Sequence, residues 1–253
     1  MSKYTAEEQL ERRITHKFRK GSGDYQLLED GDDILIALSG GKDSLALVEL
    51  MGRQAKIYKP RIRVRAIHVK MRNVPYEIDL DYLENFCAQH GVSLIVKEGE
   101  FDAETDTRKS PCFLCSWNRR KILFATALEL GCNKIALGHH MDDILSTLLM
   151  NITFQGAFSS MPPRLVMRKF AMTIIRPMCL VSECDLKELA ELHNYQKQKK
   201  NCPYEEHSHR SDMEGILNQL EKMNPKARYS LWNSMTNIQQ DMLPQEMNVE
   251  NKA

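Results

Sequence analysis

The sequence has no uninterrupted apolar run long enough to cross a bilayer, because a spanning helix needs about 20 consecutive apolar residues. A secretory pattern is missing too: Met1 to Lys20 alternates charges of both signs and carries no apolar stretch. The expectation is a cytoplasmic protein with no membrane association. Net charge is nearly absent, with 35 Lys and Arg against 34 Asp and Glu. That balance excludes a global phosphate-seeking field and leaves any nucleic-acid contact to local clusters. Three such clusters exist. Arg12, Arg13, Lys17, Arg19 and Lys20 crowd the N-terminal helix, Arg61, Arg63 and Arg65 alternate along a strand, and Lys197, Lys199 and Lys200 precede Cys202. Each alone reads as a solvated face; together they admit a polyanion the size of tRNA. Internal repeats and low-complexity tracts are also absent.

Cysteine is not scarce. The chain has 7 in 253 residues, an odd number in a protein too large to need disulfide staples. Reduced thiols are expected, some of them as metal ligands. The length suits one large α/β domain with extensions.

Ile34 to Leu38 is a short apolar run ending at a glycine pair, after which Leu45, Ala46, Val48 and Leu50 continue among helix formers. This spacing predicts strand, tight turn and helix. Further strands are expected at Val64–Val69, Ser93–Val96 and Lys134–Leu137, separated by helices at about 79–90 and one that stops at Gly131. Such alternation implies a parallel sheet. After Gly156 to Pro163 the region Leu165 to Ile175 should hold short extended segments, and Ser182 should cap a helix running to His193. Residues 196–211 read as a loop, followed by helices at about 212–223 and 226–239 and a frayed tail from 244.

Ser39-Gly40-Gly41-Lys42-Asp43-Ser44 falls between the first strand and its helix, where backbone N–H groups and the helix dipole converge on an anion. The glycines allow close backbone approach, Lys42 adds a positive charge, and the hydroxyls of Ser39 and Ser44 can donate to phosphate oxygens. The position five before Gly41 is Ile36, which excludes a Walker A loop. The dinucleotide fingerprint does not fit either. A carboxylate beside phosphates is unfavourable without an intervening cation, so Asp43 implies Mg²⁺. Gly138-His139-His140-Met141-Asp142-Asp143 follows the fourth strand and should emerge at the same sheet edge. There Asp142 and Asp143 could complete the Mg²⁺ site with Asp43, although helix N-terminal acids also occur for the dipole alone.

Cys112 and Cys115 form a CxxC, expected in a loop, with Arg119 and Arg120 a helical turn beyond. Guanidinium groups favour thiolates, which bind metal. A thioredoxin-type redox pair belongs just after a first strand, a place the phosphate turn already holds. Zinc remains open, since Cys202 with His207 or His209 could complete a Cys₃His set; an iron-sulfur site remains equally open on spacing alone.

The hexapeptide S-G-G-K-D-S is the signature of the PP-loop ATP pyrophosphatases. The segments S-P-C-F-L-C-S-W-N-R-R from Ser110, A-L-G-H-H-M-D-D-I-L-S-T-L from Ala136, G-A-F-S-S-M-P-P-R-L from Gly156 and I-I-R-P-M from Ile174 closely resemble the tRNA 2-thiocytidine synthetases of that class. The match runs from about Glu11 to Ile238. It implies an α/β fold, a Rossmann-like parallel sheet with helices on both faces and a helical C-terminal extension. It also divides the chain into an N-terminal basic helix (1–30), a nucleotide domain (31–195) and a cysteine-containing loop with C-terminal helices (196–253).

The resemblance further implies a [4Fe-4S] cluster on Cys112, Cys115 and Cys202, beside ATP on the 39–44 loop and Gly138. The expected catalytic set is Asp43, Asp142 and the three cysteines. The implied reaction adenylates the C2 oxygen of an anticodon-loop cytidine, releases pyrophosphate and inserts sulfur from a donor such as a cysteine desulfurase. The implied partners are therefore tRNA and that donor, with a homodimer as a further expectation. Cys202-Pro203-Tyr204-Glu205 departs from the second CxxC common among such enzymes and is similar to the C-P-Y of thiouridine synthetases. A thiouridine or lysidine synthetase, or a non-catalytic zinc protein that binds RNA, are the alternatives.

Overall fold

A computed structural model of the chain describes residues 4–74, 78–102, 110–168, 170–196 and 209–244. The chain divides into two compact units, one of residues 1–144 and 161–208 and one of 145–160 and 209–253. The first opens with α1 (Ala6–Asp24), started by a reciprocal cap in which Thr5 Oγ1 accepts from Glu8 N and the Glu8 carboxylate accepts from Thr5 N. Then come β1 (Asp33–Ala37), α2 (Lys42–Ala55), β2 (Arg63–Met71), α3 (Leu80–Gln89), β3 (Ser93–Gly99), α4 (Pro111–Glu129) and β4 (Lys134–Ala136). The helix α5 (Met141–Gln155) begins in this unit, which continues with β5 (Arg164–Met167), β6 (Met172–Ile175) and α6 (Glu183–Leu192).

These strands form one sheet in the order β3-β2-β1-β4-β6-β5. The β1–β2, β1–β4, β2–β3 and β4–β6 pairs are parallel. The extended segments expected near Leu165–Ile175 are a hairpin that places β5 antiparallel at the edge. β1 lies between β2 and β4, so the chain leaves it toward one side and returns to the other. Ligands of open α/β sheets bind at that switch point, at the carboxyl ends of the strands.

Side chains along a strand alternate between faces, and both faces of β1 are buried. Ile34 and Ile36 pack with Ile14 and Phe18 of α1, Leu45 and Val48 of α2, Leu83 of α3 and Leu186 of α6. Leu35 points the other way, into Ile67, Ile135, Leu123 and Ala127. Helices therefore cover both sides, which is why β1 reads as a continuous apolar run.

The structure corrects the placement of the CxxC pair. Cys112 and Cys115 lie in α4 and not in a loop, because Ser110 accepts the Phe113 N–H at 3.3 Å and Pro111 takes the first helical position, where no N–H is needed. Ser182 caps α6 as expected.

Among the described residues the basic clusters are largely engaged in ion pairs. Arg63 and Arg65 both engage Asp33, and Arg61 engages Asp30 at 2.9 Å. Arg13 and Lys17 converge on Asp185 of α6 at 2.8 and 2.7 Å. Lys197, Lys199 and Lys200 lie outside the described residues.

The second unit contains the end of α5, then α7 (His209–Met223) and α8 (Ala227–Ser234). Arg228 joins the last two through Asn218 Oδ1 at 2.8 Å and through Glu221. α8 stops short of the expected Gln239, and i→i−3 turns at Met235, Thr236 and Asn237 follow it. Among the described residues no helix is long and apolar enough to cross a membrane.

Candidate active site

Between β1 and α2 the backbone turns through Gly40 at φ +87°, a left-handed conformation that L side chains resist. Gly41 caps α2 without a side-chain hydrogen bond, so the first N–H groups of the helix face outward uncapped. The serine hydroxyls hold the turn closed. Ser44 Oγ donates to the Gly41 carbonyl at 2.8 Å and accepts from Gly40 N at 3.1 Å, while Ser39 Oγ lies 3.1 Å from Ser44 Oγ. Lys42 Nζ sits 3.0 Å from Asp43 Oδ1 and 3.4 Å from Glu183 Oε1. An uncapped helix start, a left-handed glycine and a lysine fit a polyphosphate.

The turn after β4 closes against this loop. A Cβ on Gly138 would meet the Asp43 carbonyl carbon and oxygen at 3.2 Å and Ser44 N at 3.3 Å, so a side chain there would push the two backbones apart by a few tenths of an ångström. His140 is buried between three carboxylates: its Nε2 is 4.0 Å from Asp43 Oδ1 and 3.4 Å from Asp143 Oδ2, and its Nδ1 is 3.8 Å from Asp142 Oδ2. That Nδ1 has no hydrogen-bond partner. Asp142 and Asp143 are also engaged by backbone, Asp142 Oδ2 accepting from Glu183 N at 2.8 Å and Asp143 Oδ2 from His140 N at 3.1 Å.

The structure thus gathers Asp43, Asp142 and Asp143 in one place. Among the described residues no three His, Cys, Asp or Glu groups form a ready metal cage. This donor set fits Mg²⁺, which takes one or two carboxylates and completes its shell with water and phosphate oxygens.

Leu114, in the first turn of α4, packs with Met71 and Val74 at the carboxyl end of β2 and with Phe101 just beyond β3, on the same sheet edge. Cys112 is exposed and Cys115 half-buried on one helix face, beside the apolar group of Met71, Val74, Phe101 and Leu114. A helix N-terminus favours anionic ligands there, and two thiols three residues apart on it fit metal or cluster binding. Cys202, like His207, lies outside the described residues. His209 opens α7, with Nδ1 3.3 Å from Asp212 and its ring against Phe154. Three of the remaining thiols differ in kind, burial pushing Cys87 up to about 12, Cys132 up to about 11 and Cys179 up to about 12; Cys184 is exposed and is raised chiefly by its hydrogen bond to Glu188.

Several neighbours of the site had no signal in spacing. Arg176, directly after β6, donates to His139 Nδ1 at 3.2 Å and to the Pro162 carbonyl at 2.6 Å. Its burial lowers its pKa. Glu183 reaches Lys42 from α6, and a cavity of about 710 Å³ opens between Gly40–Lys42 and the later part of α6.

A mostly parallel sheet with a glycine turn at its switch point, joined by acids from the helix that follows the neighbouring strand, defines a nucleotide-binding type of α/β protein. Residues 6–201 match the PP-loop domain family, and the chain belongs to it, within the tRNA 2-thiocytidine synthetases. It is 35% identical over 235 residues to the tRNA-cytidine(32) 2-sulfurtransferase of Neisseria meningitidis serogroup A, covering 90% of this chain and 73% of that one. To the enzyme of that name from Syntrophotalea carbinolica it is 33% identical over 239 residues, covering 92% of each. Among solved structures, the U34-tRNA thiolase NcsA from Methanococcus maripaludis with its [4Fe-4S] cluster is similar at TM-score 0.71 and 28% identity. That likeness covers 90% of this chain and 78% of that one.

Proposed function

We propose that the protein is an ATP-dependent tRNA sulfurtransferase that converts a cytidine of tRNA to 2-thiocytidine, at the position 32 named for its relatives. The observation that carries this reading is the meeting, at one sheet edge, of the phosphate turn, the Gly138 turn with its acids, and the helix start bearing Cys112 and Cys115. ATP would lie with its phosphates on Ser39 to Ser44 and against Gly138, with Mg²⁺ held by Asp43 and either Asp142 or Asp143. The C2 oxygen of cytidine attacks the α-phosphorus, a P–O bond forms there, and pyrophosphate leaves with the electron pair of the broken bond. A hydrosulfide-level sulfur then attacks C2, the C–O bond breaks, and AMP departs as the thiocarbonyl forms.

Cys112, Cys115 and Cys202 would hold the [4Fe-4S] cluster, which supplies a place to bind inorganic sulfur near the activated base. The chain's own residues supply the rest. Lys42 and the α2 dipole bind developing phosphate charge, and Arg176 orients His139 through its Nδ1. tRNA and a sulfur donor such as a cysteine desulfurase are the partners of this reading, and the cytoplasm its compartment.

The test is mass spectrometry of tRNA nucleosides from a deletion strain, complemented with wild type. Selective loss of 2-thiocytidine is expected. Wild-type 2-thiocytidine with loss of a thiouridine or lysidine would overturn the substrate assignment.

A further inference from the structure

The cavity beside the phosphate turn has two walls. Gly40, Gly41 and Lys42 form one; Lys187, Asn194 and Gln196, from α6 and the residues after it, form the other. Lys187 Nζ is 3.0 Å from Glu183 Oε1, and Lys42 Nζ, from a different helix, is 3.4 Å from the same oxygen. Glu183 and Lys187 alone would be an ordinary i,i+4 helix pair worth a few tenths of a kcal/mol. Three features set this pair apart. The Glu183 side chain is 20% exposed, its backbone is fixed by Asp142, and its carboxylate bridges two ammonium groups that both line the cavity.

A single carboxylate oxygen shared by two lysines at the edge of a polyphosphate turn stands where one anionic phosphate oxygen could be met by both. Resting on the ATP reading above, we infer that Lys187 is a second cation for the β,γ-phosphates and the departing pyrophosphate, and that Glu183 holds the place those phosphates take. Without nucleotide, Glu183 keeps the half-exposed Lys187 and the Asp43-paired Lys42 directed at one oxygen. When the phosphates enter, their oxygens replace the Glu183 oxygen, and the two lysines close on them from opposite walls. Pyrophosphate leaving the α-phosphorus is then met by positive charge from both sides, and the returning carboxylate competes with it and helps expel it.

The experiment is calorimetric titration of the cluster-loaded full chain with inorganic pyrophosphate and Mg²⁺, alongside ATP kinetics. Lys187→Ala should weaken pyrophosphate binding and raise the ATP KM by about tenfold or more, the loss expected for one charge-assisted contact. Its tRNA KM and iron content should stay at wild-type values. Lys187→Arg should recover most of the affinity, and Glu183→Gln should tighten pyrophosphate binding. Wild-type pyrophosphate affinity in Lys187→Ala would overturn the role of Lys187, and unchanged or weaker affinity in Glu183→Gln would overturn the place-holder role. Lys42→Ala separates the two levels. If it binds pyrophosphate like wild type, the phosphate-turn reading itself fails; if it loses binding while Lys187→Ala does not, the present inference alone fails.

Discussion

Asp142 Oδ2 accepts the backbone N–H of Glu183 at 2.8 Å, tying the glycine turn after β4 to the first turn of α6. Asp142 is 5% exposed, so this bond lies inside the protein, and an alanine there would leave the N–H without its acceptor. Asp142→Ala should cost about 1–3 kcal/mol of stability, whereas Asp142→Asn keeps a carbonyl oxygen for the bond and should cost less. Urea unfolding of the two variants beside their pyrophosphate release separates anchor from metal ligand. An Asn variant with wild-type stability and wild-type turnover would leave Asp142 an anchor alone.

Gly138→Ala tests the closeness of the two turns. The new methyl would press on the Asp43 carbonyl and Ser44 N–H, backbone groups that can yield only by moving the phosphate turn. Overpacking of this kind costs about 1–3 kcal/mol. The ATP KM should rise while iron content holds, and thermal melting with and without ATP should show a reduced ligand-induced shift.

The cysteines should divide by environment. Cys112→Ser, Cys115→Ser and Cys202→Ser should each lose iron and thiolation together. Cys87 and Cys132 are buried thiols held protonated, so their serine variants should keep iron and activity with a packing penalty. Iron and sulfide analysis after anaerobic purification reads both groups. Full cluster retention in Cys202→Ser would remove that residue from the ligand set, and stoichiometric zinc in active enzyme would replace the cluster.

Stability should fall on mild acidification. Burial pushes His68 below its usual value of 6.5, with Arg119 and Lys70 adding to the shift, and burial does the same to His90. Below about pH 6.5 the unfolded chain takes up protons that the folded chain resists. Stability is therefore complete above that pH and is lost as pH drops toward the depressed folded values, by at most about 1.4 kcal/mol per pH unit for each histidine. Glu49 adds nothing in this window. Burial opposes its charge, but bonds from Tyr195 and His193 and the charge of Arg53 hold it below the usual carboxylate value. Urea midpoints between pH 7.5 and 5.5 should show the slope, and His68→Gln should flatten it.

What the sequence made readable was local. The strand, turn and helix around Ser39 to Ser44 follow from residues adjacent in the chain, as do the Ser182 cap and the glycine turn at Gly138. The helix under Cys112 is equally local, since Ser110-Pro111 is a cap followed by a first-position proline, a signal that the CxxC pattern, expected in a loop, overshadows. Features that depend on pairing across the sheet were not readable. Arg63 and Arg65 suggested a basic strand until the β1–β2 register set Asp33 beside Arg63. Glu183 and Lys187 reach the phosphate turn because α6 packs on α2, and no spacing along the chain announces that contact.

The place of β4 in the sheet has a consequence for synthesis. Ile34 of β1 lies beside Lys134 of β4, and the Gly138 turn closes the phosphate loop from that later strand. A nascent chain carries a complete S-G-G-K-D-S turn long before the ribosome has released the strand that closes it. Pairing of such distant segments is the slow part of assembling a sheet. The backbone wall that Gly138 supplies is therefore missing until β4 has paired with β1, and a ligand that binds both turns favours the state in which that pairing is made.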